Sequence, residues 1–276
     1  MRFLFLFLFL VGCGRDDTVP SNITAELEQM YRGKLEQLKE VTAEHVAGWP
    51  SDHDCDGALW AGIARAAGAE WVDMAAALQP DGRPTRRPFV DCSVPDESAA
   101  TTSNDMITGI ILGLQAAKDV DSLSHLYRYG ESHSWVMGYP ERFVSRTVLR
   151  PNGITLLARV LYHLTGGEKD YSVRLLPMIY GPVAGDYQLH LILLSRLASK
   201  RAGNLQSAVE IVETIAAASA PNDALAQAVA GNKVAATVLL LNPNYQPPSY
   251  VRGHPNYRLV HWLLAARVTL DKSTVP

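Results

Sequence analysis

The chain has 276 residues, of which 47% are hydrophobic and 19% are charged, and its formal net charge is -3. The hydrophobic content excludes a disordered polymer. The slight acidic excess excludes a protein that binds nucleic acid through bulk positive charge. Three cysteines are too few to staple a chain of this length, so a hydrophobic core has to stabilise it.

The N-terminus has the organisation of an export signal. Arg2 precedes an unbroken apolar run over 3–11, which is much shorter than the roughly 20 residues of a membrane-spanning helix. The sequence Leu10-Val11-Gly12-Cys13 that ends this run resembles the lipobox of bacterial lipoproteins. The alternative is an ordinary signal peptide with a chance cysteine.

The lipobox resemblance implies where the mature protein resides. Residues 1–12 would be a cleaved signal peptide, and Cys13 would carry the acyl chains that anchor the protein in the membrane. Residues 13–22 would be a lipidated polar tether, since they are rich in charged and turn-forming residues. A periplasm-facing position follows, with the outer membrane favoured over the inner because Gly14 rather than aspartate follows the cysteine.

The remainder, residues 23–276, is predicted to be a single all-α domain. Alternating β-type patterns are scarce, and 143–149 is the best candidate. Apolar spacing predicts helices over 23–46, 57–69, 105–118, 120–133, 153–165, 186–202, 205–219, 222–241 (with a break near Gly231) and 256–269. The third and fourth are almost contiguous, which predicts an antiparallel pair and favours an array of helical hairpins.

Three long irregular segments interrupt the helices, over 79–103, 134–152 and 242–255. Long irregular segments in a compact domain are usually functional or disordered. These segments are rich in aromatic residues and arginines, which favours function and places them on one face of the domain.

The two remaining cysteines, Cys55 and Cys92, are expected to form a disulfide because the predicted compartment permits oxidation. Free buried thiols are the alternative. A metal site that uses His53 is unsupported, since no metal-ligand spacing surrounds these residues. No fingerprint of a nucleotide or dinucleotide cofactor is present either, so the sequence predicts neither a metal nor a cofactor.

Acidic residues precede two apolar helices. Asp54 and Asp56 lie before the helix that begins near residue 57, and Asp105 lies in the first turn of the next one. Two carboxylates in different surroundings can divide the roles of acid and base. The alternative is that each carboxylate merely stabilises the start of its helix.

A further candidate cluster lies where a helix becomes a loop, at His133 and Trp135. The imidazole could act as an acid or base near neutral pH, and the indole could stack on a sugar ring. A histidine that caps the helix C-terminus and a core tryptophan are the alternatives.

The combination SNDM…GL…YGESHSWVMG, followed by SR, resembles (α/α)-toroid carbohydrate-active proteins. A toroid of six helix pairs normally needs a longer chain, so this one would be small or incomplete. The resemblance implies an enzyme, a hydrolase or lyase, that acts on a polysaccharide. The acids Asp54, Asp56 and Asp105 would do the chemistry with help from His133, while Trp135, Tyr139, Arg142 and Arg146 would bind a substrate that is anionic if the arginines pair with it. The alternative function is a non-catalytic lipoprotein that binds a ligand or assists envelope assembly on the same face.

Overall fold

The structure is a computed structural model that describes residues 19–51, 56–85, 102–138, 147–167, 171, 186–203, 215–251 and 255–271. Within these ranges the fold is all-α, as predicted, and extended backbone pairs only at the isolated bridges Leu78–Pro84 and Val136–Val148. In the described part of the chain, no helix has both the length and the hydropathy needed to cross a membrane.

The α-helices are α1 (Ser21–Val41), α2 (Gly57–Ala66), α3 (Asn104–Ala117), α4 (Val120–Ser132), α5 (Pro151–Leu164), α6 (Asp186–Arg201), α7 (Ala224–Val229), α8 (Lys233–Leu241) and α9 (Pro255–Leu270), with a further helical stretch over 215–219. Most bounds agree with the prediction to within three residues. The first helix ends five residues early. The break near Gly231 is confirmed, because its positive φ of 84° ends one helix before the next begins.

Six of the described helices form a ring. Each of these helices contacts the next in the order α2, α3, α5, α6, α7 and α9, and α9 contacts α2 to close the ring. In addition, α3 contacts α6 across the middle. The remaining helices pack outside the ring, with α1 on α9, α4 on α3 and α5, and α8 on α7 and α9. The contacts therefore describe a small ring of six helices with an outer layer.

The ring helices run in one direction. The last turns of α2, α3, α5, α6 and α9 all line one cleft, and the Lys200 side chain donates a 2.8 Å hydrogen bond to the carbonyl of Val229 at the end of α7. We call the end where these helices begin the N-terminal rim. Because α4 follows α3 after two residues and runs back along it, the C-terminus of α4 also lies at this rim.

Glycines bring α2 and α3 into unusually close contact. A Cβ on Gly62 would lie 1.9 Å from the carbonyl oxygen of Gly109, and one on Gly109 would lie 2.5 Å from the Cα of Leu59. Gly113 faces the Cα of Gly62 in the same way. These two helices therefore touch backbone to backbone, which fixes the starts of both helices relative to each other.

Aromatic rings and imidazoles fill the middle of the ring. Trp60 of α2 stacks on Tyr257 of α9 with ring centroids 4.3 Å apart and an interplanar angle of 11°. His190 of α6 lies 5.7 Å from Trp60 and 5.9 Å from His261 of α9. All four side chains are buried, and the ring therefore has a packed interior at this level instead of an open channel.

Candidate active site at the N-terminal rim

Side-chain hydrogen bonds tie the starts of the ring helices together. The Asn104 side chain at the start of α3 accepts from the backbone N–H of Arg150, which precedes α5, and donates to the carbonyl of Val148. The Asn256 side chain at the start of α9 donates a 2.8 Å hydrogen bond to the carbonyl of Pro50. Each of the three long irregular segments ends at the start of a ring helix, so the C-terminal ends of all three lie at this rim.

Asp105 lies at the centre of the best-defined polar group on the rim. It is half-buried in the first turn of α3, where the helix dipole favours a negative charge. Its carboxylate accepts hydrogen bonds from the hydroxyls of Ser103 and Tyr187, the latter at 2.5 Å. The Ser103 hydroxyl also accepts from the N–H of Met106, so Ser103 is the N-cap of α3. Capping is thus done by Ser103, and Asp105 is held by side chains from two ring helices.

Asp56 occupies the N-cap position of α2, but its carboxylate accepts no hydrogen bond from the first turn of that helix. Capping therefore does not account for this residue. It lies three residues before Leu59, and Asp105 lies one turn before Gly109, the partner of Leu59 in the close contact. Because α2 and α3 run parallel, the backbones of Asp56 and Asp105 lie at one height on neighbouring helices, whose axes are typically roughly 8 Å apart.

His133 lies at the same rim but is engaged with its own helix. It is the C-cap residue of α4, and its Nδ1 lies 2.9 Å from the carbonyl oxygen of Tyr129 and 3.0 Å from the Ser132 hydroxyl. Its ring stacks on Tyr129 with centroids 4.1 Å apart. This is the arrangement that the alternative interpretation describes, a histidine that satisfies a helix C-terminus.

Trp135 follows in a backbone conformation with φ of +64°. Its half-buried ring covers Gly130, where a Cβ would lie 2.5 Å from the indole, and it meets Tyr127 edge to face at 5.3 Å. The glycine within α4 is thus explained by close packing of this ring. The indole contributes packing to the outer layer at the rim, beside the Val136–Val148 bridge that leads to Asn104.

Several predicted residues lie outside the described residues, so their roles stay predictions. They are the acid Asp54, the ligand-binding Tyr139, Arg142 and Arg146, the lipidated Cys13 and the disulfide pair Cys55 and Cys92.

Sequence reasoning missed Tyr187 and the histidine pair in the ring interior. Tyr187 belongs to no recognisable motif, and His190 and His261 lie 71 residues apart on helices that no local pattern pairs. His261 Nε2 lies 3.5 Å from Asp223, whose side chain caps α7 through the N–H of Leu225. In the described part of the chain, no three of the histidines, cysteines and carboxylates form a group that could hold a metal ion.

Burial determines the protonation of the two histidines. It lowers the pKa of His190 well below the usual range, and the neighbouring His261 lowers it further. Burial also lowers the pKa of His261, and the Asp223 carboxylate opposes that effect. Because burial disfavours the imidazolium, both rings are neutral near pH 7.

Comparison with protein-family models gave no match, and comparisons with curated proteins and with solved structures gave none.

Proposed function

We propose that this protein is a lipid-anchored, periplasm-facing lipoprotein of the bacterial envelope that hydrolyses a polysaccharide at the N-terminal rim. The observation that carries the proposal is the juxtaposition of Asp56 and Asp105 at one height on the two most closely packed ring helices. Glycoside hydrolysis needs two carboxylates on opposite sides of the scissile bond, about 5 to 10 Å apart.

The surroundings of the two acids suggest separate roles. The hydroxyls of Ser103 and Tyr187 donate hydrogen bonds that hold the Asp105 carboxylate in place, which suits a base or nucleophile. Asp56 would then be the proton donor to the leaving oxygen. In an inverting reaction, the Asp105 carboxylate accepts a proton from water as that water attacks the anomeric carbon, and Asp56 protonates the departing sugar oxygen.

Anchoring at Cys13 and recognition of an anionic glycan by Tyr139, Arg142 and Arg146 belong to the same proposal. They rest on the lipobox resemblance and on the delivery of the segment over 134–152 to the rim. His133 and Trp135 contact Tyr129 and Tyr127 of α4, and in this proposal they form part of the wall of the site.

The decisive experiment compares two substitutions on a panel of neutral and uronate-containing oligosaccharides. Asp105→Asn should abolish cleavage while the melting temperature stays within about 2 °C of the wild type, since the substitution leaves the Ser103 cap in place. Asp121→Asn, an exposed aspartate in the first turn of α4, is the matched control and should keep full activity. A large drop in melting temperature for Asp105→Asn would mark that residue as structural.

A non-catalytic binding module is the second candidate, and the packed ring interior favours it. Trp60, Tyr257 and His190 leave no deep channel beneath the described rim in which a sugar could be enclosed. In that case the wild type retains a glycan without cleaving it, and Arg142→Ala weakens retention with no turnover to lose.

A further inference from the structure

A basic cleft lies at the end of the ring opposite the N-terminal rim. It has a volume of about 300 Å³ and is formed by the last turns of α2, α3, α5, α6 and α9. The side chains of three arginines and one lysine line it, namely Arg65, Lys118, Arg201 and Arg267, against two carboxylates, those of Glu70 and Asp271. The cleft thus carries two surplus positive charges (four minus two), although the whole chain has a net charge of -3.

Helix C-termini attract cations, and this effect accounts for part of the cluster. Arg201 donates to the carbonyl of Ala66 at the end of α2 at 3.2 Å, and Arg65 donates to the carbonyl of Glu70. The Arg201 guanidinium therefore satisfies a backbone acceptor at the end of α2, and the Arg65 guanidinium satisfies one in the turn that follows this helix.

Lys118 is the C-cap residue of α3, where a cation is also favoured. Backbone N–H groups already satisfy two carbonyls at this helix end, because Lys118 N–H donates to Gln115 and Asp119 N–H donates to Leu114, each at 3.0 Å. The ammonium group of Lys118 is exposed at the mouth of the cleft. The exposed Arg267 lies in the last turn of α9, where the helix dipole favours a cation, and its guanidinium interacts with the Tyr31 hydroxyl.

The cations are close enough to affect one another. Burial lowers the pKa of the Arg201 guanidinium, the Asp271 carboxylate opposes this change, and the charge of Arg267 adds to it. Like charges are thus held together in a partly desolvated cleft, where an anion would find guanidinium donors that suit the geometry of a phosphate.

The course of α1 relates the cleft to the chain's N-terminus. The Tyr31 hydroxyl donates to the carbonyl of Ala67, beside the cleft, whereas Lys34 lies over Trp262, further inside α9. Ser21 therefore lies at the cleft end of the molecule. Eight peptide units separate Ser21 from Cys13 and span at most about 28 Å. If Cys13 is lipidated, the cleft end faces the membrane and the N-terminal rim faces away from it.

We propose that this cleft binds a phosphate-bearing anion, held by Lys118 and Arg267 at its mouth and by Arg65 and Arg201 at its wall. The phosphate could belong to an anionic phospholipid headgroup or to a soluble phosphate ester, and these present the same chemistry to the four cations. Only the headgroup source rests on the lipid anchor of the proposed function, and the cleft itself stands independently of it.

The test measures binding of the full chain to two probes, inorganic pyrophosphate by calorimetry and phosphatidylglycerol nanodiscs by sedimentation, with phosphatidylcholine nanodiscs as the uncharged reference. Lys118→Gln and Arg267→Gln should each weaken binding by about fivefold, and the double variant by more than tenfold. Arg128→Gln removes one exposed positive charge from α4, outside the cleft, and should bind as the wild type does.

Each outcome decides the proposal. Binding of pyrophosphate identifies the ligand as a soluble phosphate ester, and binding of the anionic nanodiscs alone identifies it as a lipid headgroup. Either result supports the proposal if Lys118→Gln and Arg267→Gln weaken that binding and Arg128→Gln does not. Failure of both probes at millimolar phosphate, or equal weakening in Arg128→Gln, would overturn it. Asp105→Asn should bind both probes normally, so a failure of the glycan proposal leaves this result unaffected. Thermal melts of every variant test whether a loss of binding comes from unfolding of the protein.

Discussion

The close contact between α2 and α3 leads to a prediction about glycine-to-alanine substitutions. The same change should destabilise the protein at Gly62 and stabilise it at Gly33. Gly62→Ala places a methyl carbon 1.9 Å from the carbonyl oxygen of Gly109, a backbone atom that cannot rotate away. Relief requires α2 and α3 to separate locally by about 1.5 Å to reach a normal contact distance. Gly33→Ala on α1 is the control, since nothing lies within 4 Å of its added methyl group.

The expected magnitudes follow from two opposing effects. Overpacking typically costs about 1–3 kcal/mol, and a clash with fixed backbone belongs at or above the upper end. Alanine returns about 1 kcal/mol of helix propensity. Gly62→Ala should therefore destabilise the protein by about 2 kcal/mol or more and lower the melting temperature by about 4–8 °C. Gly33→Ala pays no packing cost and should raise the melting temperature by about 2–4 °C.

Thermal melts followed by circular dichroism at 222 nm, on both variants under identical conditions, measure this difference. The two shifts must have opposite signs. A Gly62→Ala protein that melts within 1 °C of the wild type would show that α2 and α3 do not touch through their backbones, and the argument for the common height of Asp56 and Asp105 would fail with it.

Two further predictions concern protonation and backbone conformation. The buried His190 and His261 have lowered pKa values, so the unfolded chain binds more protons than the folded one below about pH 6.5. The contribution of these histidines to the free energy of unfolding should therefore be fully present above that pH and decrease as the pH falls, by up to about 2.7 kcal/mol per pH unit for two histidines. Urea titrations at pH 7.5 and 5.5 measure this loss. His190→Gln should reduce the loss, whereas the control His125→Gln, at an exposed histidine, should not. Lys118 ends α3 with φ of +55°, a conformation that costs a non-glycine residue roughly 1 kcal/mol. Lys118→Gly should therefore stabilise the protein by about 0.5–1 kcal/mol, as measured by urea titration. A loss of stability would show that the ammonium group contributes more than the backbone strain costs.

Most of the helices could be predicted from the sequence, because a helix is set by hydrogen bonds between residues four apart and by an apolar period that is visible locally. The start of α3 at Asn104 after the Ser103 cap, the tight turn to α4 and the break at Gly231 all follow from such local signals. The end of α1 at Val41 was placed too late, since the apolar spacing continues to Val46 beyond the last helical turn.

The candidate site likewise has features that the sequence predicts and features that it does not. The sequence placed acids at the starts of apolar helices, but it could not decide whether those starts lie side by side. That depends on Gly62 meeting Gly109, 47 residues away, where the absence of two side chains lets two backbones touch. Tyr187 reaches Asp105 across 82 residues, so no local pattern could have paired them.

The sequence by itself determined that this chain folds into helices, where most of them begin and end, and which polar residues precede them. Only the tertiary structure decided that six helices run parallel around a ring, that two histidines meet in its interior, and that five helix ends gather four cations into one cleft. The physical reason is range: helix formation is governed by neighbours within one turn, whereas closure of the ring is governed by packing between side chains that are far apart in the chain and cannot be paired until the core has formed.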